Sequence, residues 1–160
     1  MLKVNLYCVG TIKEKYLKDA IAEYSKRLSK YVKLEIYEVK EAVILSFDNE
    51  ALMQNTLNEE GEKVLKKIKP DDYVVLIDLH GNEIDSVAFA HKINEIKNKG
   101  FSTIDLVIGG TLGLSNALRK RSNYALCLSK MTFPHQLTRV IVLEQLYRAC
   151  KINNNESYHH

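Results

Sequence analysis

No run of the 160-residue chain approaches the roughly 18 consecutive apolar residues of a membrane span, so a transmembrane helix is excluded. The opening stretch Met1–Gly10 reads as a strand and is too short for a secretory leader. Cysteine is sparse. Cys8, Cys127 and Cys150 stand singly among apolar neighbours, with no C-x-x-C pair. An odd, scattered set argues against both a disulfide framework and a zinc site, and the three read as buried thiols of a reducing, cytoplasmic protein. No internal repeat, low-complexity segment or linker interrupts the chain, and only the polar stretch Asn153–Ser157 has the composition of a disordered tail. There is no Ser/His/Asp set, no H-E-x-x-H and no EF-hand spacing, so metal-dependent chemistry has no support. Asp72 and Asp78 flank one strand, but spacing alone does not pair them as acid and base.

What is present suits one globular domain. Apolar residues make up 46% and charged residues 27%, ordinary values for a chain that buries a core. The formal net charge is +3. Basic residues crowd at Lys13, Lys15 and Lys18, at Lys26, Arg27, Lys30 and Lys33, and at Arg119–Arg121. Such clusters serve as solvated faces or meet an anionic partner such as RNA.

Hydrophobic periodicity alternates strands with helices. Leu2–Gly10 reads as a strand, and Thr11–Glu14 has the form of a capping box. Tyr16, Leu17, Ala20, Ile21, Tyr24 and Leu28 then recur at helical spacing. Leu34–Val39 alternates as a strand with one wetter side. Asp48 is expected to cap a helix that runs to Pro70, and Tyr73–Asp78 is a buried, β-branched strand. Ser86 is expected to cap a third helix, ended by Gly100. Ile104–Ile108 is a second buried strand, which runs into Gly109-Gly110-Thr111-Leu112-Gly113. A short helix over Ser115–Arg121, a strand over Tyr124–Leu128 and a final helix from Pro134 to about Ile152 complete the pattern. One face of the last helix should pack on the sheet and another is available to a second subunit. The sum is an α/β layered fold with a largely parallel sheet.

The glycine run supports two uses: tight-turn backbone angles, or a loop bare enough for a ligand to reach backbone amides beyond the carboxyl end of a strand. The dinucleotide fingerprint does not fit, because the spacing is G-G-x-x-G after a late strand and no acidic residue follows about 20 positions on. A P-loop fails for want of Gly-Lys-Ser/Thr. Leu128–His135 joins a buried strand to the last helix, where loops often carry function. His135 there is a candidate residue or an ordinary helix-terminal histidine. Arg148 either pairs with Glu144 within the helix or is free for a ligand.

Several segments together resemble a known family. They are Val9-Gly10 with Lys13–Tyr16, Ile108–Leu114, Ser129–Gln136, Arg139-Val140, Glu144–Ala149 and Tyr158-His159. Across essentially the whole chain these are similar to the bacterial large-subunit ribosomal RNA pseudouridine N3-methyltransferases of RlmH type, the minimal members of the SPOUT class. The resemblance implies a single SPOUT domain over 1–160, with a deep trefoil knot within about 73–152, working as a homodimer. It implies S-adenosylmethionine as cofactor, held by Ile77, Gly109 and Leu128, Ser129, Lys130, Met131, Thr132 and Phe133, with Gly110 and Gly113 shaping the loop.

The implied substrate is a pseudouridine of 23S ribosomal RNA, within the large subunit or the assembled ribosome. His159, folded over the site from either subunit, is the first candidate for deprotonating N3 or orienting the base, beside Tyr158. His135 is the second candidate. Arg139 and Arg148 are candidates for RNA contacts by charge and position, and the basic first helix for docking. The family's tail ends in Tyr-His and a basic residue, a place taken here by His160. A non-catalytic ribosome- or RNA-binding protein on the same scaffold is the alternative, as is a methyltransferase acting on another nucleotide or on protein.

Overall fold

A computed structural model describes residues 1–160. The elements in chain order are β1 (Lys3–Val9), α1 (Lys15–Leu28), β2 (Lys33–Val39), α2 (Glu50–Leu65), β3 (Tyr73–Glu83), α3 (Ser86–Asn98), β4 (Thr103–Ile108), α4 (Asn116–Arg121), β5 (Tyr124–Cys127) and α5 (His135–Asn153). The strands form one sheet in the order β2-β1-β4-β3-β5, and every neighbouring pair is parallel.

Side chains on a strand alternate between faces, and the central strands have apolar residues on both. Val4, Leu6 and Cys8 of β1, with Ile104, Leu106 and Ile108 of β4, join a core with Phe89, Ile93 and Ile96 of α3 and Val142, Leu143 and Leu146 of α5. The alternate set, Tyr7, Val9, Val74, Leu76 and Val107, packs with Val64 of α2 and with Leu114 and Leu118 at α4. The sheet is therefore covered on both sides, as continuous β-branched runs require. α5 lies against both α1 and α3. All three cysteines are free and buried, and desolvation pushes Cys8 up to about 12 and Cys150 up to about 11.

Element ends differ from the sequence expectation for local reasons. The Thr11–Glu14 capping box does not form; Glu14 is the N-cap residue, with extended backbone and no side-chain cap bond. Asn49, not Asp48, caps α2, accepting from the Leu52 amide at 3.1 Å. Asp85 rather than Ser86 caps α3, accepting from the Ala88 amide at 2.8 Å. That frees the Ser86 hydroxyl to bond Gln145 on α5 at 2.7 Å. β3 continues past Asp78, because its register shifts between Ile77 and Asn82 before it pairs again with Leu126 and Cys127. Such a bulge re-aims the residues inside it, here Asp78 to Gly81.

Candidate active site

In a parallel sheet, ligands gather beyond the carboxyl ends of the strands. There the residues following β4 and β5 enclose a 590 Å³ pocket, within the size range of small-molecule sites. One wall is the glycine loop, Ile108 to Leu114. The facing wall is Leu128 to His135, without Lys130, and the floor is Ile77 to His80 at the β3 bulge.

The glycine loop is built for close approach. A β-carbon on Gly109 would collide with the Gly113 carbonyl oxygen, so only glycine lets the loop fold back on itself. Gly113 has φ +96°, a left-handed conformation that costs an L side chain about 1–2 kcal/mol. Its amide bonds the Gly110 carbonyl at 3.1 Å, closing the turn. Ser115 then caps α4 through the Leu118 amide at 3.2 Å. On the facing wall, the Ser129 hydroxyl accepts from the Met131 amide at 3.0 Å, fixing a tight turn.

Of the residues expected at a cofactor, Ile77, Gly109, Gly110, Gly113, Leu128, Ser129, Met131, Thr132 and Phe133 all line this pocket, as does His135. The Lys130 side chain turns away to Glu83, at 3.7 Å. Asp78, His80, Arg119 and Thr138 also line it. Asp78 forms an ion pair with Arg119 across the pocket. Burial opposes ionisation of Asp78, but bonds from Arg119 and the His80 amide prevail and hold its carboxyl below the usual range. Periodicity showed only an acid at a strand end and a basic cluster on a helix, and nothing in it brought the two together.

Arg139 requires a correction. Expected at the RNA, its side chain is only 2% exposed. The guanidinium bonds Glu38 at 2.5 Å and the Gly10 carbonyl at 2.8 Å, so no phosphate reaches it. Arg148 is also engaged, donating to both carboxylate oxygens of Glu144 at 2.9 and 3.0 Å. Tyr158 packs edge-on against Tyr147, with ring centroids 4.9 Å apart, and lies under the Arg148 guanidinium at 4.8 Å. His159 Nδ1 is 3.2 Å from Arg148. Neither Tyr158 nor His159 lines the pocket. Their contacts at Glu144 and Arg148 lie about 14–20 Å along α5 from His135 at the helical rise.

A pocket floored by strand ends and walled by a glycine turn and a second loop invites comparison with known proteins. The family model described as "Predicted SPOUT methyltransferase" matches residues 2–159. A protein of Bifidobacterium adolescentis is 49% identical over 158 residues, covering 99% of each chain. One from Clostridium acetobutylicum is 50% identical over 161 residues, again covering 99% of each. Both carry the name ribosomal RNA large subunit methyltransferase H. A Legionella pneumophila protein described as a methyltransferase, solved with bound SAM, shares the fold at a TM-score of 0.50 and 10% identity, covering 92% of this chain and 66% of that one. With its full-length family match and its near-half identity to relatives of equal length, this chain belongs to the SPOUT methyltransferase family.

Proposed function

We propose that this protein transfers a methyl group from S-adenosylmethionine to N3 of a pseudouridine in 23S ribosomal RNA. In this reading it acts as a homodimer on the large subunit or assembled ribosome, in the cytoplasm. The observation that carries the proposal is the 590 Å³ pocket, which joins the two loops that resemble the family's cofactor segments.

The pocket fits the cofactor by shape and chemistry. The bare Gly109–Gly113 turn leaves room for a ligand against backbone, and Ile77, Ile108, Leu114, Leu128 and Phe133 supply apolar surface for an adenine. Ile77, Gly109 and Leu128–Phe133 would hold it, with Lys130 contributing backbone alone. Bound there, S-adenosylmethionine supplies an electrophilic methyl group on a positively charged sulfur.

N3 of pseudouridine is a poor nucleophile until it loses its proton. His159 is the first candidate to accept that proton or to orient the base, and His135 the second, a role supported for His135 by its lining the pocket. Holding the base in line supplies much of the remaining acceleration. Tyr158 and His159 complete the site from the partner subunit, a role supported by their distance from the pocket of their own chain. A 300 Å³ apolar groove lined by Phe89, Phe133 and Ile141 beside α5 supports a second subunit on this face.

One domain over 1–160 contains a trefoil knot within about 73–152. This reading rests on the resemblance and agrees with α5, which follows the edge strand β5, packing against both α1 and α3. Lys13, Lys15 and Lys18, all exposed, dock the enzyme on ribosomal RNA, and Arg148 contributes once the tail moves. Mass mapping of 23S RNA from cells lacking the gene tests the reaction. Loss of one methyl group at a pseudouridine is expected, and an unchanged methylation map would refute it.

A further inference from the structure

We infer that the buried Arg139 and the partly exposed Glu38 form a clamp that fixes the spacing of the two pocket walls, making Arg139 a positioning residue for binding of the methyl donor; the inference rests on the cofactor reading above. Arg139 opens the second turn of α5, directly after Thr138 and four residues after His135, which both line the pocket. Its guanidinium reaches back to the ends of two strands. One arm meets Glu38 of β2 at 2.5 Å, and the other meets the carbonyls of Gly10 and Val9 at 2.8 and 3.4 Å.

The same Glu38 oxygen accepts from the Ile12 amide at 3.2 Å, and Gln136 bonds the Thr11 carbonyl at 3.3 Å. The turn at Val9–Ile12 is thus tied to α5 at several points. It also supports the opposite wall: a β-carbon on Gly110 would lie 3.0 Å from Val9 Cγ1. The glycine loop therefore rests on Val9, while the His135 wall hangs from Gly10 through Arg139. A planar fork can serve two acceptors at once, whereas a lysine ammonium is a point charge on a flexible stem. The Nε of Arg139 is buried without a partner. That leaves an arginine at this place with an uncompensated donor, a cost consistent with its geometry having a use beyond stability.

Calorimetry with S-adenosylmethionine tests the clamp on the full-length protein, using wild type, Arg139→Lys, Glu38→Gln and Leu28→Ala. Leu28 is fully buried at the end of α1 away from the pocket, so its truncation reports general destabilisation. Arg139→Lys should weaken binding about tenfold, as mutations in coupled networks do. Leu28→Ala should lower the melting temperature at least as much and bind normally. Glu38→Gln, which still accepts from Arg139, should fall between wild type and Arg139→Lys. Hydrogen exchange without ligand should quicken at Gly113 and Thr138 in Arg139→Lys and stay unchanged in β3. Binding by Arg139→Lys within twofold of wild type, or an equal loss in Leu28→Ala, overturns the clamp. If wild type itself takes up no S-adenosylmethionine, the cofactor reading falls first and the clamp with it.

Discussion

Asn5 and Asp105, exact register partners on β1 and β4, share a 2.9 Å hydrogen bond at a point where the Asp105 side chain has no access to solvent. Burial, with the neighbouring Asp72 carboxylate, pushes Asp105 up to about 7, against the opposing bond from Asn5. An acid whose pKa is raised on folding binds its proton more tightly in the native state. Its contribution is therefore fully present below the unfolded value of about 4 and is lost as pH rises through about 7. Asp105→Asn keeps an acceptor for Asn5 and removes the charge. It should raise the melting temperature by several degrees at about pH 8 and leave it nearly unchanged near pH 4, as scanning calorimetry across pH would record. Equal effects at both ends would show that the carboxyl titrates normally.

The glycine loop makes a second prediction, in two grades. Gly113→Ala meets no neighbouring atom but must hold φ +96°, so it should cost about 1–2 kcal/mol by denaturation and weaken donor binding modestly. Gly109→Ala drives its new methyl into the Gly113 carbonyl and should abolish binding measured by calorimetry. If the two variants bind alike, the fold-back of the loop is not what shapes the pocket.

His135 and His159 are separated by subunit in the proposed dimer, and mixing separates them in solution. Gly109→Ala and His159→Ala should each be inactive alone. Co-refolded in equal amounts, they should recover about a quarter of wild-type activity, since half the dimers are mixed and carry one intact composite site. No recovery, with mixed dimers confirmed by native mass spectrometry, places the tail over its own pocket.

Replacing Lys15 and Lys18 together should reduce the dependence of ribosome binding on salt by about two in logarithmic slope. Lys15 is 88% exposed despite its contact with Asp19, so the loss should leave the unfolding free energy within about 0.5 kcal/mol of wild type. An unchanged slope removes α1 from the RNA interface.

Much of this arrangement was legible in the residues. The runs at Tyr73–Asp78 and Ile104–Ile108 announced buried parallel strands, and the glycines after Ile108 announced a turn that could be structural or could cradle a ligand. Their occupant came from resemblance, because spacing eliminates known motifs without naming a new one. Arg139 was misread for a physical reason: a charge on a helix defaults to solvent, and only the fold brings Glu38 to it from 101 residues away. The continuation of β3 through Asn82 and Glu83 was hidden too, since polar residues after Asp78 carry no strand periodicity. Asp85 and Ser86 are both good caps, and sequence cannot choose between adjacent candidates when Gln145 decides the matter from another helix.

The placement of β1 between β2 and β4 has a kinetic corollary. Lys3 is level with both Lys33 and Thr103, so the first strand synthesised stays half-paired until about 100 residues more have emerged. Pairings so distant in sequence are paid for in loop-closure entropy before they gain stability, and they slow folding. Refolding from denaturant should accordingly be slow, with β1–β2 and α1 protected from exchange before β4 docks. The exposed edge of the waiting strand makes a partly synthesised chain the form of this protein most prone to aggregate.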